Sequence, residues 1–207
     1  MEILIPSSYL GPIQQYAWML RADTTYVEQY DHYQKQTFRN RCIIAAADGA
    51  LPLTIPVEKY DGSKCPMKDI RISDHGNWRH LHWNALVSAY QATPFFEYYQ
   101  DEFRPFYEKE FEFLIDFNEA LDAKIFELID MHPVIKRTIA YGEPAAEVDL
   151  RSAITPKHPR EDSIFIPQPY YQVFQQKYGF LPNLSIVDLL FNMGPESLLV
   201  LRDSIRK

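Results

Sequence analysis

Cysteine is scarce: only Cys42 and Cys65 occur among the 207 residues. A secreted scaffold stapled by disulfides is thereby excluded, and both thiols read as reduced groups in a reducing compartment. Long apolar runs are missing too. Nothing approaches the roughly 20 residues that span a bilayer. The opening Met1-Glu2-Ile3-Leu4-Ile5-Pro6 has neither the basic start nor the apolar length of a secretion signal. The expectation is a cytoplasmic protein with no membrane insertion. Positive charge is in deficit, 21 Lys and Arg against 28 Asp and Glu for a net −7, the wrong sign for a broad nucleic-acid footprint. That deficit is local. Between Glu97 and Asp130 eleven acids stand against Arg104, Lys109 and Lys124 alone, so the rest of the chain is near neutral. The acid run reads as the solvated face of helices, and the remaining surface is free to hold a positive pocket. Several catalytic signatures are absent: no Gly-rich phosphate loop, G-x-G-x-x-G, C-x-x-C, H-E-x-x-H or G-x-S-x-G. A P-loop kinase, a Rossmann dehydrogenase and a zinc hydrolase are therefore disfavoured, no metal ligands are assigned, and the cofactor is left unknown.

What the chain does have is apolar and aromatic mass, 46% hydrophobic and 14% aromatic, enough for a substantial core in one domain over residues 1–207. Residues 2–5 predict a short buried strand stopped by Pro6, followed by a helix from Ile13 to Leu20 and a strand at Tyr26-Val27. Cys42–Ala47 and Leu51–Val57 flank Asp48-Gly49 as a hairpin with a type I′ turn, and Pro52 and Pro56 mark its second strand as an edge. A strand is expected at Asp69–Ile72, a helix capped by Asn77 through Tyr90, and a helical stripe from Phe111 to Leu128. Val134–Ala140 and Ser163–Ile166 are short strand candidates, and 142–162 reads as a long loop. Tyr170–Tyr178 looks helical, Ser185–Asp188 fits a capping box, and a last helix runs from Pro195 through Ile205. The class is α+β: a small mixed or antiparallel sheet with an edge hairpin, packed against a mostly helical middle and C-terminal part.

Three constellations could carry chemistry. Tyr33–Arg41 holds Lys35, Arg39 and Arg41 with three amides and no carboxylate. In an extended chain the three cations share a face and, with Asn40, would seat a pyrophosphate or a sugar acid; a polar strand edge, or arginines paired with acids, is the competing reading. Asp74–His82 holds three of the six histidines. His80 and His82 are two apart and cannot chelate as an i, i+4 pair. His82 follows Trp78 by four, so it is a partly buried general base or a bonded core histidine. Asp188 and Asn192 share a face of the C-terminal helix. Cys42 follows Arg41, which favours a thiolate, yet it also opens an apolar strand where cysteine commonly packs.

Taken together, Tyr9-Leu10-Gly11-Pro12 with Tyr16, Tyr33-x-Lys35 leading to Arg39-Asn40-Arg41, and Leu53-Thr54-Ile55-Pro56-Val57 resemble the WbqC-like family. His82-Trp83, Pro94-Phe95-Phe96 and the ending Leu184-Ser185-Ile186-x-Asp188-Leu189-Leu190-Phe191-Asn192 resemble it as well. The chain departs from the family pattern at Pro6-Ser7-Ser8-Tyr9, in place of a Gln-Pro-x-Tyr opening, and at Cys42, where asparagine is common. The resemblance implies a part in bacterial surface polysaccharide synthesis, notably lipopolysaccharide O-antigen, and leaves the reaction open. The leading expectation is acyl or aminoacyl transfer to a nucleotide-linked sugar, with His82 as base, Asp188 orienting it, and Lys35, Arg39, Asn40, Arg41 and Asn192 binding substrate. The alternative is a non-catalytic glycan-precursor-binding or scaffolding protein working beside other enzymes of the pathway. Self-association is left open.

Overall fold

Ile3-Leu4-Ile5 carries no polar side chain, and all three residues are buried in a computed structural model that describes residues 1–60, 62, 64–157 and 159–206. They form the middle of strand β1 (Glu2–Pro6), which has a neighbour on each side. β2 (Thr24–Glu28) pairs on one flank and β6 (Val148–Asp149) on the other, while β5 (Ile135–Arg137) adds to β2. The order is β5-β2-β1-β6, and every pairing is parallel. The α+β class and the antiparallel hairpin stand as expected, but the sheet is parallel rather than mixed or antiparallel, and the hairpin forms a sheet of its own rather than the edge of the first. Strands buried on both faces show continuous apolar runs and no alternation, and their direction depends on distant crossovers. β6 lies inside the stretch 142–162 that reads as a loop.

The first crossover is α1 (Ile13–Arg21), a helix buried along most of its length between the sheet and the C-terminal helices. The hairpin joins β3 (Arg41–Ala46) to β4 (Gly49–Thr54), with Ala46 opposite Gly49. Its two turn residues are therefore Ala47 and Asp48, and the positive φ falls on Gly49 alone, at +106°. A type I′ turn would need positive φ at both central residues, so the expected Asp48-Gly49 turn shifts by one position. Residues 70–72 do not form a full strand. A 3₁₀ turn at Met67–Asp69 precedes them, and isolated bridges tie Arg71 to Phe113 and Ile72 to Val57. That pairing holds Phe113 extended and delays the start of the following helix.

The middle is three helices, α2 (Trp78–Tyr90), α3 (Phe96–Glu108) and α4 (Leu114–Leu128). α3 buries Phe96, Phe103 and Tyr107 and sends most of its acids to solvent. After a four-residue helix α5 (Gln175–Tyr178) come α6 (Ile186–Met193) and α7 (Ser197–Asp203). The Ser185 side chain accepts a hydrogen bond from Val187 N at the start of α6, as the capping pattern predicts. Tyr90, Phe96 and Phe103 surround the Phe191 ring, with centroids 5.1–5.3 Å away. Gly194 ends α6 with φ +54°, and a Cβ there would lie 2.5 Å from the Phe95 ring.

At the C-terminal edge of the sheet, buried Glu28 gathers the chain. Its carboxylate accepts from Thr138 Oγ1 at 3.0 Å, Gly142 N at 2.7 Å and Tyr30 N at 2.9 Å, and it pairs with Arg151 at 3.0 Å.

Candidate functional site

Ligands of parallel α/β sheets sit beyond the carboxyl ends of the strands, where neighbouring connections diverge. β1 meets that condition, because its chain leaves toward β2 while β6 lies on the opposite flank. The residues just past it, Ser7 and Ser8, are polar and buried. Tyr9 N donates to Phe38 O at 2.8 Å, which holds this loop against the turn before β3. Asn118, from α4, ties the two together: its Nδ2 donates to Ser7 Oγ at 3.0 Å and to Arg39 O at 2.9 Å. Asn40 Nδ2 donates to Ile55 O at 2.7 Å. A Cβ on Gly11 would sit 3.1 Å from both Ser8 Cβ and Gln15 Oε1, so Ser8 and Gln15 crowd the same corner. Among the described residues, Ser8 Oγ, Asn40 Oδ1, Asn118 Oδ1 and both amide atoms of Gln15 are buried without a hydrogen-bond partner, as are Thr25 Oγ1, Trp78 Nε1 and Ser197 Oγ. Buried polar atoms of native proteins are seldom left so. A set of buried oxygens and one amide nitrogen suits a ligand rich in hydroxyl groups, each of which donates and accepts.

The cationic run is built differently from its extended expectation. Residues 35–40 turn, with Gln36 at φ +61° and Thr37 Oγ1 donating to Gln34 O at 2.8 Å. Lys35 is exposed and Arg39 is buried. Arg41, partly exposed, opens β3 and donates from Nε to Thr54 Oγ1 at 2.8 Å across the hairpin. The three cations therefore do not line one extended face. Arg39 is held by an ion pair with Asp31, and Thr37 Oγ1 lies 3.5 Å from its Nη1. Burial pushes the Tyr33 hydroxyl up to about 12 against the pull of Arg41 and Arg39.

His82 and Asp188 have separate partners, which overturns the expectation that Asp188 orients the imidazole. The Tyr9 hydroxyl lies 3.0 Å from His82 Nδ1 and 2.8 Å from the Tyr107 hydroxyl. Burial lowers the His82 pKa to about 4, opposed by the Thr54 main chain. The ring is thus neutral at pH 7 and packed between Tyr9 and Trp78. Asp188 accepts from Tyr90 at 2.8 Å, Tyr170 at 2.6 Å and Gln172 at 3.2 Å. Asn192 donates to Asp188 O at 2.7 Å and accepts from Val173 N at 3.2 Å, so both residues fasten the segment around 170–173 to α6. Cys42 is fully buried opposite Leu53, and burial drives its thiol far above the usual range. It is a packing residue. Gln15 and Asn118 carry no motif, and Ser7 and Ser8 stand out only as the departure from the family's Gln-Pro-x-Tyr opening; the signal for Asn118 is an asparagine directly after Phe117 in the core-facing stripe of α4.

The chain belongs to the WbqC-like protein family, whose model matches residues 7–164. The match takes in both sides of the strand-end cluster and His82, and it stops before Asp188 and Asn192. An uncharacterized protein of Mycobacterium tuberculosis, Rv1507c, is 25% identical over 189 residues, covering 80% of this chain and 81% of its own. No solved structure is significantly similar. Membership in this family points to polysaccharide biosynthesis. Among the described residues no helix is long and apolar enough to cross a membrane, and no cluster of His, Cys, Asp and Glu is arranged to hold a metal ion.

Proposed function

We propose that this chain acts in bacterial surface polysaccharide synthesis, that of O-antigen in particular, as an enzyme that binds a nucleotide-linked sugar beyond the end of β1 and directs an acyl or aminoacyl group onto it. The observation that supports this reading is the set of buried, unpartnered polar atoms on Ser8, Gln15, Asn40 and Asn118, with Asn118 tying the loop after β1 to the cationic turn. Sugar hydroxyls would bond the carboxamide oxygens, and exposed Lys35 and partly exposed Arg41 would meet the phosphates from the rim. Arg39, bound to Asp31, would act as a fixed positive charge behind them. His82 would take its part in proton transfer through Tyr9 rather than by touching the substrate.

A second reading, a protein that holds the activated sugar without turnover, is favoured by one observation. A histidine buried with a pKa near 4 is a weak base at pH 7. A thermal-shift panel of uridine- and thymidine-diphosphate sugars tests the shared premise. A sugar nucleotide at 100 times its Kd adds about 2.7 kcal/mol of stability, and K35A and R41A should weaken that response. A flat response across the panel overturns both readings. Mass spectrometry of the bound sugar after incubation with acyl-coenzyme A or aminoacyl donors then separates them: a mass gain marks the enzyme, an unchanged sugar the binder.

A further inference from the structure

A concavity of about 510 Å³ lies elsewhere, between α2 and α3. That is within the range of pockets that enclose small ligands. Trp83 lines it. Trp18 and Trp78 are buried, so Trp83 is the one tryptophan of three with a partly open ring. Phe96 and Tyr107 back that ring, with centroids at 6.2 and 5.9 Å and planes tilted by 31° and 35°. An indole held this way is a rigid apolar platform rather than a mobile surface side chain.

Around the platform stand planar polar groups. Asn77 and Asn84 contribute carboxamides, and Asn84 is oriented by a 2.8 Å hydrogen bond between its Nδ2 and His80 Nε2. Arg79 is fixed by Asp74 and by Lys109 O at 3.2 Å, and Arg104 by Glu108 at 2.7 Å. Glu110 adds a third carboxylate, so acids outnumber guanidinium groups in the lining. That balance disfavours a phosphate or diphosphate. Forked donors and acceptors beside a flat apolar face suit a pyranose ring, which offers a C–H face to an aromatic and hydroxyls to its edges.

We infer that the α2–α3 cleft is a second sugar site, one that takes a phosphate-free glycan ring stacked on Trp83. The site is independent of the strand-end cluster: different elements build it, and its charge selects against the nucleotide-linked sugar proposed there. Tyr107 also lines the cleft, and its hydroxyl continues inward to Tyr9 and His82.

Methyl glycosides of N-acetylglucosamine, galactose and rhamnose, raised to about 100 mM, are the probes, since even a Kd near 10 mM then registers. The readout is the indole N–H resonance of each tryptophan. A saturable shift confined to Trp83 is expected. W83A should abolish it, read then through the Asn84 side-chain amide, and W83F should retain binding. Asn84 is exposed, so N84A leaves the fold intact and should weaken binding about three- to tenfold, the effect of one hydrogen bond. Uridine diphosphate at saturation should leave sugar affinity unchanged. The inference is overturned if no glycoside gives a saturable shift at Trp83, if N84A binds as the parent does, if uridine diphosphate competes, or if trilysine occupies the cleft and the sugars do not.

Discussion

His82 and Asp122 titrate against each other. Burial lowers His82 from 6.5 to about 4. An unfolded chain takes up that proton where the folded one refuses it, so stability is lost as pH falls from 6.5 toward 4. Burial lifts Asp122 from 3.8 to about 7, despite a hydrogen bond from Tyr16 that favours the carboxylate. The folded chain then holds a proton that the unfolded one releases, so this contribution is complete below 3.8 and is lost as pH rises toward 7. Across pH 4 to 6.5 the two slopes oppose, each at most about 1.4 kcal/mol per pH unit. D122N should therefore lose stability on acidification more steeply than the parent, and H82Q should lose it more steeply on approach to neutrality. Urea midpoints from pH 4 to 7.5 check this, and parallel profiles for all three proteins would contradict it. Asp188, also raised by burial, is common to all three and drops out of the comparison. Arg39 and Asn40 were legible in the sequence because cations and amides concentrate there without a carboxylate. Asn118 was not, since the groups it joins lie 79 and 111 positions away. The pairing of His82 failed for a similar reason: nothing in the spacing shows that Tyr9 takes the imidazole while Tyr90 and Tyr170 take Asp188.

Among the elements, the edge of the sheet depends on one carboxylate. Glu28 ends β2 and bonds residues that follow β5 and β6, so it closes three strand ends at once. E28Q keeps the shape and removes one of the two carboxylates on Arg151, whose guanidinium keeps its pair with Asp149. A hydrogen bond to a charged group is worth about 1.5 to 3 kcal/mol, so a loss in that range is expected in urea unfolding. A loss below about 0.5 kcal/mol, the scale of an ordinary surface change, would show that the contact does not organise the edge. Elements closed by near neighbours were readable from the residues: α1, α2 and the α6 cap keep their expected places within a few positions. β6 was not, because two residues paired to a strand at the other end of the chain leave no local pattern. The same holds for the parallel direction of the sheet.

In the molecule as a whole, the core sheet is drawn from residues 2–6, 24–28, 135–137 and 148–149, and the hairpin with α2, α3 and α4 lies between its halves. A fragment spanning residues 1–134 holds β1 and β2 but neither β5 nor β6. It should give helical far-ultraviolet dichroism without a cooperative melt, and a sharp two-state melt from that fragment would show that the sheet does not need its late strands. Ile3 must await Val148, and contacts so far apart along a chain form slowly because the intervening loop has to close first. On the ribosome, β1 would emerge ahead of β6 and wait with an apolar flank uncovered while the residues between them are still being made. Chaperone shelter during that interval, rather than the strength of the finished fold, would then govern how much protein a cell recovers.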